Sequence, residues 1–378
     1  MKTCIRKTAK AGIRCFCRAL SLSAKKDRPD APRRILLMAG GYLGDTFWAL
    51  QTVPILREAY PEAEIHLAGR PFVRDLARAL VPAARIHEVA IASDRTREPC
   101  SLGELKKAAH AMRETVRPDL VVDLMCNRYS AWFCFHLGAY SVGMDIADEA
   151  APLYSFLAKH ALIPSEHLAY RPRSIARQFL GQPDSGEIRL VPPVPAKEKE
   201  EILRQYGLEN AENIAMLIPG AGWAAKRWPP EKYHTLAQRL AEAGFAVVVS
   251  GSPDEKDLCE RVADGIPGAK TICGALSDTI SLLPHCRAVA GNDSGVAHLA
   301  AAFGVRTVTL FCQTNPAYCG PLGDRSVCLR AACPHSPCPD EHFCCGGPRL
   351  TCDAPERMGF SAKQVEQAIL GTQAAAER

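Results

Sequence analysis

The chain has 378 residues, of which 47% are hydrophobic and 23% are charged, and its formal net charge is +5. A chain of this length exceeds the size at which one hydrophobic core usually stops growing, so we expect two domains. No apolar run reaches the roughly eighteen residues that a membrane-spanning helix needs, so no transmembrane segment is predicted. The excess of positive charge is local, and no nucleic-acid partner is expected from it.

Residues 1–32 form a basic arm that precedes the first predicted strand. Residues 1–34 hold eleven Lys and Arg against two Asp, a balance of +9, which leaves −4 for the rest of the chain. Residues 11–20 have the pattern of a short amphipathic helix, which Arg14 and Arg18 make too charged for a secretory signal. Two interpretations stay open: attraction to an anionic membrane surface, or a disordered, solvated tail.

After this arm, the first half of the chain alternates predicted strands and helices. The apolar run Arg34–Met38 is typical of a strand buried on both faces. It breaks into the Gly-rich loop of residues 39–46, and residues 47–60 then predict a helix. Further strands are predicted at 64–68 and 120–124, a short segment at 141–145, and helices at 72–80, 102–113 and 130–137. Strand, Gly-rich loop and helix are typical of the opening of a nucleotide-binding half.

A Pro-rich and charged stretch at residues 184–199 is the predicted linker between two domains. The pattern then repeats, because the apolar run 213–218 breaks into the loop Pro219-Gly220-Ala221-Gly222 about 180 residues after the first Gly-rich loop. That separation is of domain size, so two similar nucleotide-binding halves are predicted. In the second half, strands are predicted at 245–249, 271–273, 288–290 and 307–311, and helices at 198–206, 233–243, 253–263, 279–284 and 361–371.

The second half contains a turn that suits a phosphate. An apolar strand runs through Gly291 into Asn292-Asp293-Ser294-Gly295 and then into an alanine-rich helix. Asp293 or Ser294 is expected to cap this helix, and Gly295 lets a ligand approach the backbone. Free N–H groups and the positive end of the helix dipole then face one point. The alternative interpretation is an ordinary strand-to-helix turn.

Three further side chains are candidates for the same site, because ligands of open α/β sheets collect at the carboxyl ends of strands. Lys226 is a cation that suits a diphosphate, although Lys226 and Arg227 also fit a solvated basic pair. Glu255 suits hydrogen bonds from a ribose, or it is simply a favourable carboxylate in the first turn of a helix. His298 lies one turn after Ser294 and faces the same way, unless it is an ordinary buried histidine.

Asp45 is the candidate general base of the first half. It is an acid in a Gly-rich loop at the end of a buried strand, a position that suits proton transfer but also fits a helix N-cap. The chain holds no Asp-x-Asp pair, so no metal is expected to hold a diphosphate.

Three motifs resemble those of one known family. They are Gly40-Gly-Tyr-Leu-Gly-Asp45 with Pro61-Glu-Ala-Glu-Ile65, then Pro219-Gly-Ala-Gly-Trp223 with Lys226-Arg-Trp-Pro-Pro230, and finally Gly291-Asn-Asp-Ser-Gly295 with His298. In this order and at these separations they are similar to glycosyltransferase family 9, the ADP-heptose:lipopolysaccharide heptosyltransferases. The resemblance covers roughly residues 33–370 and leaves the basic arm outside.

The resemblance implies an α/β fold of the GT-B type, with two Rossmann-like domains whose parallel sheets face a central cleft. It implies an acceptor domain at residues 33–190, a nucleotide-sugar domain at 191–360 and a C-terminal helix at 361–378. The implied reaction is the inverting, metal-independent transfer of a heptose from ADP-heptose to an inner-core lipopolysaccharide acceptor. The implied location is cytoplasmic. For the basic arm, which lies outside the resemblance, the hypothesis is peripheral attachment to the cytoplasmic face of the inner membrane, where a lipid-linked acceptor would be found.

Carried over position by position, Asp45 resembles the catalytic base, with Gly41 and Gly44 beside it on the acceptor side. Lys226 resembles the residue that holds the ADP phosphates and stabilises them as they leave, and Glu255 matches a nucleoside contact. The implied donor-binding residues are Gly220, Gly222, Lys226, Glu255, Asn292, Asp293, Ser294, Gly295 and His298.

The sequence departs from many family members at Gly41-Tyr42 and at Ala221-Gly222. Both departures bear on the identity of donor and acceptor more than on the fold. Two other functions stay open: a related transferase that uses another nucleotide sugar for a different surface glycan, and a non-enzymatic nucleotide-binding module. A nicotinamide oxidoreductase is disfavoured, because the glycines of the first loop lack the spacing of the dinucleotide fingerprint.

The chain has 17 cysteines. Five of them fall within twenty positions in a Cys-rich loop at residues 328–353, with His335 and His342 nearby; they are Cys333, Cys338, Cys344, Cys345 and Cys352. Four thiolates of this loop suit a structural zinc, but the spacing lacks paired C-x2-C knuckles, so free thiols packed in a loop are the alternative. Without a secretory signal, no disulfide framework is predicted.

Overall fold

The computed structural model describes residues 2–23, 26–89, 91, 101–146, 149–163, 165–184, 186, 188, 190–222, 226–312, 314–331 and 358–372. The chain divides into two compact units, Met1–Arg189 and Leu190–Arg378, and each unit has its own six-stranded sheet. Within the described ranges, no helix combines the length and the apolar character needed to cross a lipid bilayer.

The first unit alternates strands and helices around its sheet. Its strands are β1 (Arg34–Met38), β2 (Glu64–Gly69), β3 (Ile86–Glu88), β4 (Leu120–Asp123), β5 (Tyr140–Met144) and β6 (Phe156–Ala158). Its helices are α1 (Lys2–Ser23), α2 (Leu43–Leu50), α3 (Val53–Ala59), α4 (Val73–Ala77), α5 (Leu102–Val116), α6 (Arg128–Leu137) and α7 (Tyr170–Leu180). Short 3-10 turns occupy Ala83–Arg85, Ala151–Leu153 and His160–Leu162.

The second unit is built in the same way. Its strands are β7 (Ile214–Ile218), β8 (Ala246–Ser250), β9 (Lys270–Ile272), β10 (Ala288–Asn292), β11 (Arg306–Phe311) and β12 (Ser326–Arg330). Its helices are α8 (Lys199–Gln205), α9 (Pro230–Glu242), α10 (Lys256–Ala263), α11 (Leu276–Leu282), α12 (Gly295–Ala302), α13 (Pro316–Cys319) and α14 (Ala362–Leu370). Two 3-10 turns, Pro253–Glu255 and Leu283–His285, precede α10 and follow α11.

Both sheets have the same strand order. The first is β3-β2-β1-β4-β5-β6 and the second is β9-β8-β7-β10-β11-β12, and all neighbouring strands are parallel. This doubly wound order reverses between β1 and β4 and between β7 and β10, and ligands of such sheets bind at the carboxyl ends of the strands where it reverses. The prediction of an α/β fold with two parallel sheets is confirmed.

The central strands are almost entirely buried and mostly apolar, as expected where helices cover both faces of a parallel sheet. Every residue of β7 is buried, as are all four residues of β4. In the second unit the core includes Trp228 and Tyr233, whose rings meet edge to face with centroids 4.8 Å apart. Trp228 Nε1 donates to the carbonyl of Phe360 (3.3 Å), which fastens the segment before α14 to the start of α9.

Two helices replace the single helix predicted over residues 47–60. α2 begins at Leu43, four residues early, and α3 begins at Val53. Pro54 explains the break, because proline has no N–H and its ring clashes with the carbonyl four residues earlier. Because α2 begins at Leu43, Asp45 lies in a helix and not in a loop.

Strands β3, β6 and β12 and helix α7 were not predicted from the sequence. β3 and β6 are each three residues long and lie at sheet edges, so their patterns are too short to show periodicity. α7 buries Arg173 and Ser174 on its inner face, which breaks its apolar pattern. Both side chains are satisfied by the carboxylate of Asp184, to which Arg173 forms an ion pair.

Within the basic arm, Lys2–Ser23 form helix α1. Cys17 of α1 is only 4% exposed within the core of the first unit. After the helix, Lys26 Nζ donates to the carbonyl of Ala139 (2.9 Å), and burial lowers the pKa of this lysine. Arg28 Nη2 donates to the carbonyl of Phe179 (2.9 Å), and its guanidinium lies 4.4 Å from the ring centroid. The arm is therefore anchored to the first unit.

Candidate functional site

The candidate site of the second unit lies where the strand order of its sheet reverses. β7 and β10 are parallel neighbours there, and Gly291 is paired with Ile218. A Cβ on Gly291 would lie 2.8 Å from the Cβ of Ile218, so glycine is needed for this close approach. The loop after β7 and the turn after β10 therefore leave the sheet side by side.

The side-chain amide of Asn292 holds these two segments together. It is fully buried, its Nδ2 donates to the carbonyls of Pro219 (2.8 Å) and Gly220 (3.3 Å), and its Oδ1 accepts from the backbone N–H of Trp228 (2.9 Å). The sequence grouped Asn292 with the donor-binding residues. In the structure these amide contacts go to the protein backbone, so Asn292 positions the loop.

Lys226 forms an ion pair with Asp293 at the start of α12. Lys226 Nζ lies 2.5 Å from Asp293 Oδ2, and Thr314 Oγ1 donates to the same oxygen (2.7 Å). Burial opposes ionisation of Asp293, but the charge of Lys226 and the hydrogen bonds from Lys226 and Thr314 lower its pKa below the ordinary value. Asp293 is therefore ionised at neutral pH and holds the lysine in one position.

Neither of the side chains proposed to cap α12 does so. Ser294 occupies the N-cap position, but its side chain forms no capping bond, and the Asp293 carboxylate contacts Lys226 and Thr314. Ser294 Oγ is buried and has no hydrogen-bond partner among the described residues. A buried hydroxyl beside the start of a helix, where N–H groups lack intrahelical partners, suits a ligand oxygen.

Glu255 lies against the Gly-rich loop after β7. Its Oε2 accepts from the backbone N–H (3.0 Å) and the hydroxyl (3.1 Å) of Ser252, and its Oε1 accepts from Arg227 (3.3 Å). Arg227 also donates to the carbonyl of Ala221 (3.0 Å), so the protein holds its guanidinium although 39% of the side chain is exposed. A Cβ on Gly220 would lie 2.2 Å from Glu255 Oε1, so a larger residue there would displace the carboxylate from the loop.

The remaining residues of the predicted donor set lie near this group. His298 is 4% exposed inside α12, and its charge contributes to the lowered pKa of Asp293. Gly295 is the first residue of α12. Gly222 ends one described range, since residues 223–225 lie outside it. The structure thus brings the predicted residues together after the ends of β7, β8 and β10, with His298 in the protein interior.

In the first unit, Asp45 is the third residue of α2. Its Oδ2 accepts a hydrogen bond from the backbone N–H of Tyr42 (3.1 Å), and the residue is partly exposed. Gly41 has φ = 110°, and a Cβ there would lie 2.9 Å from Asp45 Oδ2. Glycine is therefore required by both the backbone conformation and the close approach. Gly44 is buried within α2, and Asp45 occupies neither the loop nor the N-cap that the sequence offered.

Asp123, the last residue of β4, was not predicted from the sequence. It is fully buried, its Oδ1 accepts from the backbone N–H of Met125 (2.8 Å) and of Cys126 (3.3 Å), and its Oδ2 accepts from Tyr154 Oη (2.5 Å). Met125 fills the space over Gly40, where a Cβ would lie 2.3 Å from its Sδ. Asp123 thereby holds the turn after β4 against the Gly-rich loop after β1.

The internal repeat is the signal that would have found Asp123. β4 and β10 are equivalent in the two strand orders, and each ends in a fully buried polar residue, Asp123 or Asn292. Thr314 and Ser252 were missed for another reason. They are small hydroxyl residues in loops after strands, and only the fold shows which carboxylates they contact.

Residues 332–353 of the Cys-rich loop lie outside the described residues. The same holds for its candidate ligands, which are Cys333, His335, Cys338, His342, Cys344, Cys345 and Cys352. In the part of the chain that is described, no three His, Cys, Asp or Glu side chains are grouped so that they could hold a metal ion. The zinc and free-thiol interpretations both stay predictions.

Two doubly wound units, each with a six-stranded parallel sheet, define an α/β protein of the GT-B class. The chain belongs to glycosyltransferase family 9 (heptosyltransferase), whose model matches residues 107–344. It is therefore an enzyme, a glycosyltransferase, as the resemblance of its motifs implied.

Three similar proteins illustrate the relationship. Lipooligosaccharide heptosyltransferase 2 of Haemophilus ducreyi is 35% identical over 315 residues, which are 79% of this chain and 88% of that protein. Lipopolysaccharide heptosyltransferase 1 of Pseudomonas aeruginosa is 29% identical over 321 residues, 81% of this chain and 86% of that protein. The solved structure of E. coli ADP-heptose lipopolysaccharide heptosyltransferase II has a TM-score of 0.67 at 22% identity, covering 90% of this chain and all of that one.

Removal of the Lys226 ammonium tests the ion pair at α12. We expect Lys226→Ala to lower the free energy of unfolding by roughly 3 kcal/mol at pH 7, because a largely buried carboxylate loses its counter-charge. The double variant Lys226→Ala/Asp293→Asn should recover most of this loss.

The same pair makes stability depend on pH. Because the pKa of Asp293 is lowered in the folded state, the pair stabilises the fold above the ordinary Asp pKa, and this contribution disappears as the pH falls through the lowered value. Urea unfolding between neutral and acid pH measures both effects, and a double variant as unstable as the single one would contradict this role.

Asp123 provides the opposite pH dependence. Burial raises the pKa of its carboxyl group, so the ionised form destabilises the fold at high pH, and that effect is relieved as the pH falls through the raised value. Asp123→Asn keeps the acceptor for the two N–H groups, so we expect a stability gain at pH 8 that shrinks towards acid pH. Asp123→Ala is the matched control and should lose roughly 1–3 kcal/mol, since it leaves buried N–H groups unpaired. A gain that does not depend on pH in urea unfolding would count against this assignment.

Proposed function

We propose that this chain transfers a heptose from ADP-heptose to an inner-core lipopolysaccharide acceptor. The names of its relatives, which are lipopolysaccharide and lipooligosaccharide heptosyltransferases, support this donor and acceptor class. The observation that carries the proposal is the Lys226–Asp293 pair beside the uncapped start of α12. A fixed cation and a helix N-terminus at one place suit a diphosphate.

On the donor side, Lys226, the Ser294 hydroxyl and the first N–H groups of α12 bind the phosphates of ADP-heptose. Negative charge grows on the phosphate oxygen as its bond to C1 of the heptose breaks, and the cation and the helix N-terminus stabilise that charge. Glu255 accepts a hydrogen bond from the ribose, at the loop where Gly220 gives it room. Positive charge from the protein supports departure of ADP, so this scheme needs no metal.

On the acceptor side, Asp45 is the general base. Its carboxylate takes the proton of the acceptor hydroxyl while the hydroxyl oxygen attacks C1 on the face opposite the departing ADP. The bond from C1 to the acceptor forms as the bond to the diphosphate breaks, so the configuration at C1 inverts and the proton remains on Asp45. Gly41 and Gly44 belong to this side because they keep the backbone around Asp45 free of larger side chains.

This scheme assigns a substrate to each part of the chain. The acceptor belongs to residues 33–190 and the nucleotide sugar to residues 191–360, followed by a C-terminal helix at 361–378. Because the acceptor is lipid-linked, the reaction belongs at the cytoplasmic face of the inner membrane, to which the enzyme attaches peripherally.

A panel of nucleotide sugars tests the proposal against its alternatives. Purified protein is incubated with each donor and a Kdo–lipid A type acceptor in the absence of added Mg²⁺, and release of nucleoside diphosphate is followed. Turnover with ADP-heptose and inverted configuration in the product are expected. Turnover with another donor alone identifies a transferase for a different glycan, and nucleotide binding without turnover identifies a non-enzymatic module.

Asp45→Asn tests the general base. We expect kcat to fall by about 10²–10⁴-fold because the acceptor hydroxyl loses its proton acceptor. The Kd for ADP-heptose should stay near the wild-type value, since the donor residues lie in the second unit. Glu58→Gln, an exposed carboxylate on α3, is the matched control and should leave kcat unchanged. Near-full turnover of Asp45→Asn would remove Asp45 from this role.

A further inference from the structure

Helix α1 carries an apolar stripe that takes no part in the proposed transfer. Its members follow the spacing of one helix face and are Ile13, Phe16, Cys17 and Leu20. The C-terminal half of this α1 stripe is docked, because Cys17 is buried and Leu20 packs against the core of the first unit. The N-terminal half is exposed, with Ile13 at 52% and Phe16 at 58%. Two large apolar side chains thus project into solvent from a helix that is fixed to the protein.

The same helix carries basic residues and no acidic ones. Its basic residues are Lys2, Arg6, Lys7, Lys10, Arg14 and Arg18. Arg14 and Arg18 are exposed, and each directly follows a member of the α1 stripe, so they flank it on the helix surface. Exposed apolar side chains flanked by cations suit the interface of a bilayer with anionic headgroups.

We propose that Ile13, Arg14, Phe16 and Arg18 form the surface by which the first unit docks on an anionic phospholipid bilayer. Ile13 and Phe16 enter the boundary between headgroups and acyl chains, while Arg14 and Arg18 remain at the lipid phosphates. This inference deepens the proposed function, since it gives the lipid-linked acceptor a docking surface on the acceptor unit. Its first test is independent of catalysis.

The packing of α1 determines which part of the first unit lies nearest to a bound bilayer. Cys17 belongs to the same buried cluster as Ala150 and Leu153, and α1 packs on the 3-10 turn that contains Leu153. The residue after this turn is Tyr154, which donates to Asp123 at the end of β4. The helix is therefore seated next to the hydrogen bond that holds the turn against the Gly-rich loop of Asp45.

Cosedimentation of the full chain with lipid vesicles tests the docking surface. The vesicles contain either phosphatidylethanolamine with phosphatidylglycerol or phosphatidylcholine alone. We expect partitioning to the anionic vesicles that weakens with added salt. Arg14→Ala/Arg18→Ala should lose about 25-fold, because each basic residue near such a surface contributes about fivefold. Ile13→Ser/Phe16→Ser should lose about tenfold or more, since the inserted apolar area is removed.

Matched controls use exposed residues elsewhere on the first unit. Lys106→Ala/Lys107→Ala removes the same charge from α5, and Leu162→Ser removes a side chain that is 60% exposed; both should partition like the wild type. Equal partitioning of the α1 variants and the wild type, or equal binding to phosphatidylcholine, overturns the proposal. Sedimentation velocity without lipid tests whether a second copy of the chain binds the α1 stripe instead. Self-association that Ile13→Ser/Phe16→Ser abolishes would make the stripe a contact between copies and would also overturn the proposal.

Turnover separates this inference from the proposed function. With a water-soluble acceptor fragment, Ile13→Ser/Phe16→Ser should match the wild type, whereas with the acceptor embedded in anionic vesicles it should turn over about tenfold more slowly. Equal rates of the variant and the wild type on embedded acceptor count against the docking surface. Absence of turnover by the wild type on either acceptor counts against the proposed function, and the partitioning result still decides the docking surface.

Discussion

The buried amide of Asn292 determines the shape of the candidate site. It satisfies two carbonyls of the loop after β7 and one N–H at Trp228, groups that would otherwise each be buried unpaired at roughly 1–3 kcal/mol. Asn292 and Asp293 are neighbours in the chain, and they bind Trp228 and Lys226, which are two positions apart. This double tether fixes the lysine with respect to the start of α12. The position of the Lys226 ammonium therefore depends on the end of β10 lying beside the loop after β7, and not on the lysine side chain alone.

In the first unit, a carboxylate takes the place that the Asn292 amide has in the second unit. Asp123 ends the equivalent strand, and it too accepts backbone N–H groups and fastens a Gly-rich loop, here through Met125 and Gly40. The chemistry at the two strand ends differs accordingly. The first unit has the partly exposed acid Asp45 beside its Gly-rich loop, while the second unit has Lys226 held by Asp293. In the proposed transfer, an acid suits the removal of a proton and a cation suits a departing diphosphate.

Much of this arrangement follows from the sequence, since short apolar runs and Gly-rich loops repeat at domain spacing, and Lys226 and the turn at Asp293 have the residue types that a phosphate needs. Three features were not predicted, and the second and third of them depend on packing. Pro54 breaks a helix whose earlier start places Asp45 in its first turn. An asparagine at position 292 suits a capping turn as well as a buried position that binds backbone groups, so the residue type does not distinguish the two. The docking of Cys17 depends on a turn more than a hundred residues away, which no local pattern reveals.

The pairing of Lys226 with Asp293 has a consequence for the electric field of the second unit. A cation and a carboxylate 2.5 Å apart cancel at distance, so the pair does not draw anions from solution over long range. Its attraction acts at contact distance, on a ligand already oriented by the loop and the helix start. The ion pair thus favours a site that selects its ligand by contact geometry at close range and not by long-range attraction.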